Sequence, residues 1–177
     1  MKTDVVDLAT LNAASSEVFC SILSGIFENS SWVVRSIVSR RPFATIQELY
    51  QSMLTEVMQA GEEKQIALIC AHPDLAGTAT RQGTLTDESR DEQEGIGLDR
   101  LDAKEFAEFH QLNMAYKERF GFPCIIAIRG FDKPHDKCSI LTTMRERLHN
   151  SQSDECQEAL RQIARIAELR LKDLTGQ

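Results

Sequence analysis

The sequence predicts an all-α fold: a compact single domain over residues 1–177, with about eight or nine helices and one short extended segment near 124–129. Three observations carry this expectation. Apolar residues recur at helical spacing along most of the chain. Helix-starting and helix-stopping residues bound those periods, among them Thr45, Thr86, Gly61 and Gly121. Only Ile125-Ile126-Ala127-Ile128 is short, apolar and β-branched enough for a strand, and it has no evident partner run.

The elements follow in order. Val18, Phe19, Ile22, Leu23 and Ile26 predict a helix over roughly 14–27. Trp32, Val33, Ile37 and Val38 predict a second, stopped near Arg41-Pro42. A third starts at Thr45, where Thr45-x-x-Glu48 reads as a capping box. Its apolar face is Ile46, Leu49, Tyr50, Met53, Leu54 and Val57, and Gly61 ends it. A fourth spans about Glu62–Ala71, and Gly77–Gly83 reads as loop. Thr86 caps a helix to about Ile96, and another runs from about Ala103 to Phe120 before Gly121. Helices over about Ser139–His149 and Asp154–Leu174 finish the chain.

A chain of 177 residues suits one domain and can bury a core without disulfides or a metal. Hydrophobic residues at 42% and charged residues at 27% are ordinary for a globular protein. The formal charge of -7 argues against nucleic acid or an anionic membrane as partner. No apolar run approaches membrane-spanning length, and no signal peptide precedes the first helix. Five scattered cysteines without a CxxC read as reduced, small core residues of a cytoplasmic protein. No pair of histidines or acids has metal-ligand spacing, and phosphate-loop, nucleophile-elbow and dinucleotide motifs are lacking, so neither metal nor cofactor is expected.

Four features place polar groups where apolar ones are expected. In Ile66-Ala-Leu-Ile-Cys-Ala-His72-Pro73, a buried helical run ends in a histidine whose backbone the proline restricts. That suits a positioned acid or base. It equally suits a helix-terminal histidine with its ring in water. Arg170 shares the apolar face of Ile163, Ile166, Ala167 and Leu174. A guanidinium aimed into a core must meet an anion, either a protein carboxylate or a ligand, unless its head snorkels to water. Ser89, Glu92 and Gln93 share one helical face, which is either a polar site or a solvated surface. Buried backbone in Phe122–Gly130 needs partners, either a ligand or neighbouring side chains. His110, His135 and His149 are weaker candidates.

Taken together, these segments resemble the 2-oxo-4-hydroxy-4-carboxy-5-ureidoimidazoline (OHCU) decarboxylases of urate breakdown. The resemblance rests on His72-Pro73-Asp74-Leu75-Ala76-Gly77, on Gly83-Thr84-Leu85-Thr86 with Ser89 and Glu92-Gln93, and on Gly97-Leu98. Leu112-Asn113 with Tyr116, Arg119-Phe120-Gly121-Phe122-Pro123 and the following Ile-Ile-Ala extend it. Phe27-Glu28, Arg41-Pro42-Phe43 and Ile166-Ala167-x-Leu169-Arg170-Leu171-x-Asp173-Leu174 complete it, in order and over nearly the whole chain.

The resemblance implies a compact all-α homodimer that works without a cofactor and converts the ureidoimidazoline to S-allantoin and carbon dioxide. It assigns catalysis to His72, Glu92 and Arg170. It assigns substrate binding to Arg170, Pro73, Ser89, Gln93 and the backbone of Ile125 and Ala127, whose amides would supply fixed dipoles. Two positions depart from the family. Cys124 stands where a phenylalanine is expected, and Thr175-Gly176-Gln177 is not a peroxisomal address, which favours a cytoplasmic, bacterial enzyme. The alternatives are another small-anion enzyme on this scaffold and a non-catalytic helical module that binds small anions or partners.

Overall fold

The computed structural model describes residues 5–77, 80, 82, 84–129 and 135–177. Nine α-helices have bounds among the described residues, and no strand is found there. The chain gathers into two units: residues up to Leu68 with Ala164–Gln177, and Ile69–Ile163.

The first unit opens with two short helices, α1 (Leu8–Ala13) and α2 (Ser16–Ile22), in place of the single one expected over 14–27. Each starts at an oxygen-bearing cap: Asp7 accepts the Thr10 amide at 2.7 Å and Ser15 the Val18 amide at 3.2 Å. Leu23, Ile26 and Phe27 are still buried, but on turns rather than on a continued helix. Helix α3 (Trp32–Ile37) runs into a 3₁₀ turn at Val38–Arg40, and the chain is extended at Arg41, as the following Pro42 favours. Arg41 then holds the unit's edge. Its Nη1 donates to Ala14 O at 2.5 Å, its Nε to Val38 O at 3.0 Å, and its guanidinium lies 4.6 Å from the Phe19 ring centroid.

Helix α4 (Ile46–Gln59) buries Ile46, Leu49, Tyr50, Met53 and Val57, the expected stripe without Leu54. Thr45 accepts the Glu48 amide at 3.0 Å, while the Glu48 carboxylate reaches one residue past the cap to the Ala44 amide, at 2.6 Å. The capping box is therefore only half formed. Helix α5 (Glu62–Cys70) follows the next apolar period. From Ala164 onward the last helix adds Ile166, Ala167 and Leu171 to this core, and Tyr50 Oη donates to Ala164 O at 3.1 Å.

Arg170 has found its anion. It is 5% exposed, and its Nη1 donates to Glu28 Oε2 and to Gly25 O, both at 3.0 Å. Glu28 is itself 3% exposed. Of the readings open for this residue, the protein carboxylate is realised and the solvent-facing head is not.

The second unit holds α6 (Asp87–Glu94), α7 (Ala103–Phe120), α8 (Lys137–Arg147) and the first half of α9 (Gln152–Thr175). Thr86, Asp102 and Asp136 cap the first three through the amide three residues on, and Asp102–Glu105 form a full capping box. Gly121 stops α7 at φ 77°, the left-handed cap that glycine adopts without strain. Thr80 and Gln82 are helical, which departs from the loop expected over Gly77–Gly83; residues 78, 79, 81 and 83 of that stretch lie outside the described ones. Phe109, Tyr116, Phe122, Ile140, Met144, Ala159 and Ile163 are fully buried, and the rings of Tyr116 and Phe120 meet at 4.8 Å.

The cysteines correct one expectation. Only Cys124 is buried; Cys20 and Cys156 are half-buried, and Cys70 and Cys138 are exposed. Burial pushes the Cys124 thiol up to about 12, against the pull of the Arg147 guanidinium. No described helix is long and apolar enough to cross a membrane.

Two outcomes follow. Arg170→Met removes the guanidinium that balances the buried Glu28 carboxylate and should cost about 3–5 kcal/mol in urea unfolding, most of it recovered by adding Glu28→Leu. A thiol reagent at pH 8 should label Cys70 and Cys138 in the native protein and Cys124 only after denaturation, since a buried thiol far above its usual range is not a nucleophile at that pH.

Candidate active site

The second unit brings together three segments that the sequence singled out. At the end of α5 the His72 amide donates to Ile69 O at 3.1 Å, closing the last turn, and Pro73 prevents the helix from continuing. His72 is buried at 8% exposure, so the reading that leaves its ring in water does not hold.

The turn after Pro73 is tight. Ala76 sits at φ 52°, a left-handed conformation that costs an L-residue roughly 1–2 kcal/mol. A Cβ on Gly77 would lie 2.7 Å from Asp74 Cβ, so no side chain fits there without rearrangement. Two helices hold the turn in this shape. From α7, Asn113 Nδ2 donates to Leu75 O at 2.9 Å and Lys117 Nζ to Asp74 Oδ2 at 2.7 Å. From α6, Gln93 Oε1 accepts both the Ala76 amide at 2.9 Å and the Thr80 hydroxyl at 2.8 Å, while its Nε2 lies 3.4 Å from Asp74 O.

Gln93 is thus the hinge pin of the turn, buried at 3% exposure. Ser89, one helical turn earlier on the same face, is buried at 4%. The solvated-surface reading therefore fails for these two and holds for Asp87, Glu88, Asp91 and Glu94, all exposed. Glu92, beside Gln93, is largely buried. Arg129 Nη2 stands 3.8 Å from its Oε1, with the arginine side chain half in solvent. This pair joins α6 to the end of the segment 122–129, as Gln93 joins it to the histidine's turn.

Residues 123–128 are non-helical and buried. Among the described residues, two hydrogen bonds reach their backbone. Arg147 Nη1 donates to Ile125 O at 2.6 Å, and the Ala127 amide donates to Gln162 Oε1 at 2.9 Å. The expectation that both amides face a ligand is corrected for Ala127, whose N–H is already engaged. In a trans peptide the C=O and N–H point in opposite directions. Fixing Ile125 O therefore turns the Ile126 N–H away from Arg147, and fixing the Ala127 N–H turns the Ile126 C=O away from Gln162.

Arg147 is held in turn by Glu155. Its Nη2 and Nε lie 2.5 and 3.0 Å from Oε1, and Asn150 Nδ2 donates to Oε2 at 2.8 Å. Burial and the nearby Glu158 push the Glu155 carboxyl up. Arg129, Arg147, Glu155 and Gln162 escaped the sequence reading, although a signal existed for two of them. Glu155 lies four and eight residues before Ala159 and Ile163, and Arg147 lies three and seven after Met144 and Ile140. The helical-face argument that isolates Arg170 applies to both.

Of the residues singled out from the sequence, His72, Pro73, Ser89, Glu92, Gln93, Ile125 and Ala127 all lie in this unit; Arg170 belongs to the other, paired with Glu28. Among the described residues no three His, Cys, Asp or Glu side chains are gathered to hold a metal ion.

The family model for OHCU decarboxylase matches residues 12–172. The chain is 40% identical over 165 residues to the 2-oxo-4-hydroxy-4-carboxy-5-ureidoimidazoline decarboxylase of Halalkalicoccus jeotgali, covering 93% of this chain and 89% of that protein. It is 38% identical over 172 residues to the enzyme of the same name from Xenopus laevis, covering 96% and 94%. A crystal structure of (S)-allantoin synthase aligns with a TM-score of 0.72 at 28% identity, covering 94% of this chain and 53% of that one. With a family model matched over most of its length, and relatives this similar from end to end, the chain belongs to the OHCU decarboxylase family.

Proposed function

We propose that this protein decarboxylates 2-oxo-4-hydroxy-4-carboxy-5-ureidoimidazoline to (S)-allantoin and carbon dioxide, without a cofactor, in urate degradation. The observation that carries the reading is His72: a buried histidine fixed between the end of α5 and Pro73, in the same unit as the largely buried Glu92. Family membership names the substrate class, and that residue supplies the chemistry. The family match runs across both units and supports reading residues 1–177 as one functional domain.

The substrate carries its own electron sink, a ring carbon–nitrogen double bond beside the carboxylated carbon. Loss of carbon dioxide moves the bonding pair into that sink. The protein has to orient the carboxylate and stabilise the charge that spreads into the ring. His72 starts the step by taking the substrate hydroxyl proton. The ring nitrogen that receives the pair takes a proton from solvent, and the resulting enolate collapses to the ketone when the proton held by His72 is delivered to the neighbouring ring carbon from one face, which sets the S configuration. Glu92 orients His72 or shares the proton, and Arg129 beside it balances its charge. Ser89 and the Gln93 amide nitrogen hold ureido or ring groups, and Pro73 shapes the wall beside His72. The Ile125 amide and the Ala127 carbonyl are the groups those residues have left to offer. Arg170 takes the role of the family's substrate-binding arginine on the resemblance alone.

The test uses substrate generated freshly from urate, with allantoin followed by circular dichroism, because spontaneous decay gives a racemate. His72→Asn should retain helix content and lose about 10²–10⁴-fold in stereoselective turnover. Glu92→Gln should impair the same step, and the double variant should cost less than the product of the two losses. Near-normal formation of the S enantiomer by His72→Asn would remove it from the mechanism.

A cytoplasmic homodimer completes the proposal, carried by the family resemblance. Sedimentation equilibrium should give twice the 19.9 kDa chain mass, and a monomer at micromolar concentration would refute that part.

A further inference from the structure

The Arg147–Glu155 pair is an unusual thing to find in a core. Both residues are buried, at 8% and 0% exposure. Stripping two charges of water costs more than their attraction commonly returns, and apolar residues of the same volume often replace such pairs without loss of stability. What an apolar pair cannot do is donate to a backbone carbonyl. The guanidinium does both at once: Nε and Nη2 face Glu155, and the remaining arm, Nη1, takes Ile125 O. Seven residues along α9 from Glu155, and so on the same helical face, Gln162 takes the Ala127 amide, while its own Nε2 donates to Glu158 Oε1 at 2.6 Å. One helix thus grips the segment at two peptide planes, directly through Gln162 and through Arg147 by way of Glu155. The two planes are the ones that share Ile126.

We infer that Arg147 and Gln162 are positioning residues for the decarboxylation, with Glu155 and Glu158 fixing them in turn: they aim the backbone of residues 125–127 at the ureide ring of the substrate without touching it. The inference rests on the proposed function for its substrate. The clamp itself is defined by the protein's own hydrogen bonds.

The test separates stability, positioning and turnover. Arg147→Met combined with Glu155→Leu removes both charges together and should still fold, its Tm lowered only by the unpartnered Ile125 carbonyl and Asn150 amide. Its kcat/KM should fall at least tenfold, mainly through KM. Amide hydrogen exchange at Ile126 and Ala127 in the ligand-free protein should speed up at least tenfold. Gln162→Met, at a half-buried position, should raise KM and speed exchange at Ala127, and Gln162→Glu combined with Glu158→Gln, which keeps an acceptor for that amide and a donor–acceptor pair between the two side chains, should recover most of both. A stable double variant with parental kcat/KM and unchanged exchange would reduce the pair to a structural element and overturn the inference. If the double variant does not fold, the two Gln162 variants decide alone, and parental KM and exchange in Gln162→Met overturns it. If the parent itself fails to turn over the ureidoimidazoline, the proposed function falls, and the exchange rates still decide for or against the clamp.

Discussion

A buried stretch of chain that is neither helix nor strand must find its hydrogen-bond partners among side chains or ligands. Residues 123–128 set this condition, and much of the second unit answers it. Arg147 must be buried to reach Ile125 O. Glu155 must then be buried to balance Arg147, and Asn150 satisfies the carboxylate oxygen that the fork leaves over. Gln162 and Glu158 repeat the arrangement one peptide plane further on. Each partner is costly alone and tolerable only with the next, so the cluster stands or falls as a set.

The first unit solves a related problem with the same pair of residue types. Gly25 lies on the turns between α2 and α3, and Arg170 Nη1 donates to its carbonyl while also meeting the buried Glu28. In both units an arginine serves a carboxylate and irregular backbone at once: Arg170 meets both from Nη1, and Arg147 divides its planar fork between them, which a lysine's single compact charge could not do in a fixed plane.

The regular architecture was legible in the sequence because it is written locally. Helix α7 begins at Ala103 and ends before Gly121 as expected, and α4 shows the Thr45 cap and, Leu54 apart, the apolar stripe expected of it. The short α1 was not legible: its six residues carry a single fully buried side chain, Leu11, too few for a period to show. Nor could the sequence divide 14–27 into a helix and a set of turns, because Leu23, Ile26 and Phe27 are buried under either description. Of the site, His72, Ser89 and Gln93 could be singled out by spacing, but their surroundings could not. That Gln93 is committed to Asp74, Ala76 and Thr80, and Ala127 to Gln162, are long-range choices that no local pattern records. Glu155 lies on the apolar face of α9, four and eight residues before Ala159 and Ile163, where a carboxylate needs a buried partner as much as a guanidinium does.

Gln93 bears on how the site would come apart. A single side chain bonds Ala76 and Thr80 and reaches Asp74, so loosening the turn after His72 breaks its ties to α6, and α6 carries Glu92. Local opening in proteins proceeds in cooperative blocks rather than residue by residue. Here the block contains both proposed proton carriers. Warming would then not produce a graded population of half-competent molecules with one group displaced and the other in register. Each molecule would hold the histidine and the glutamate together or have lost both, and residual activity near the melting transition would count intact sites rather than weakened ones.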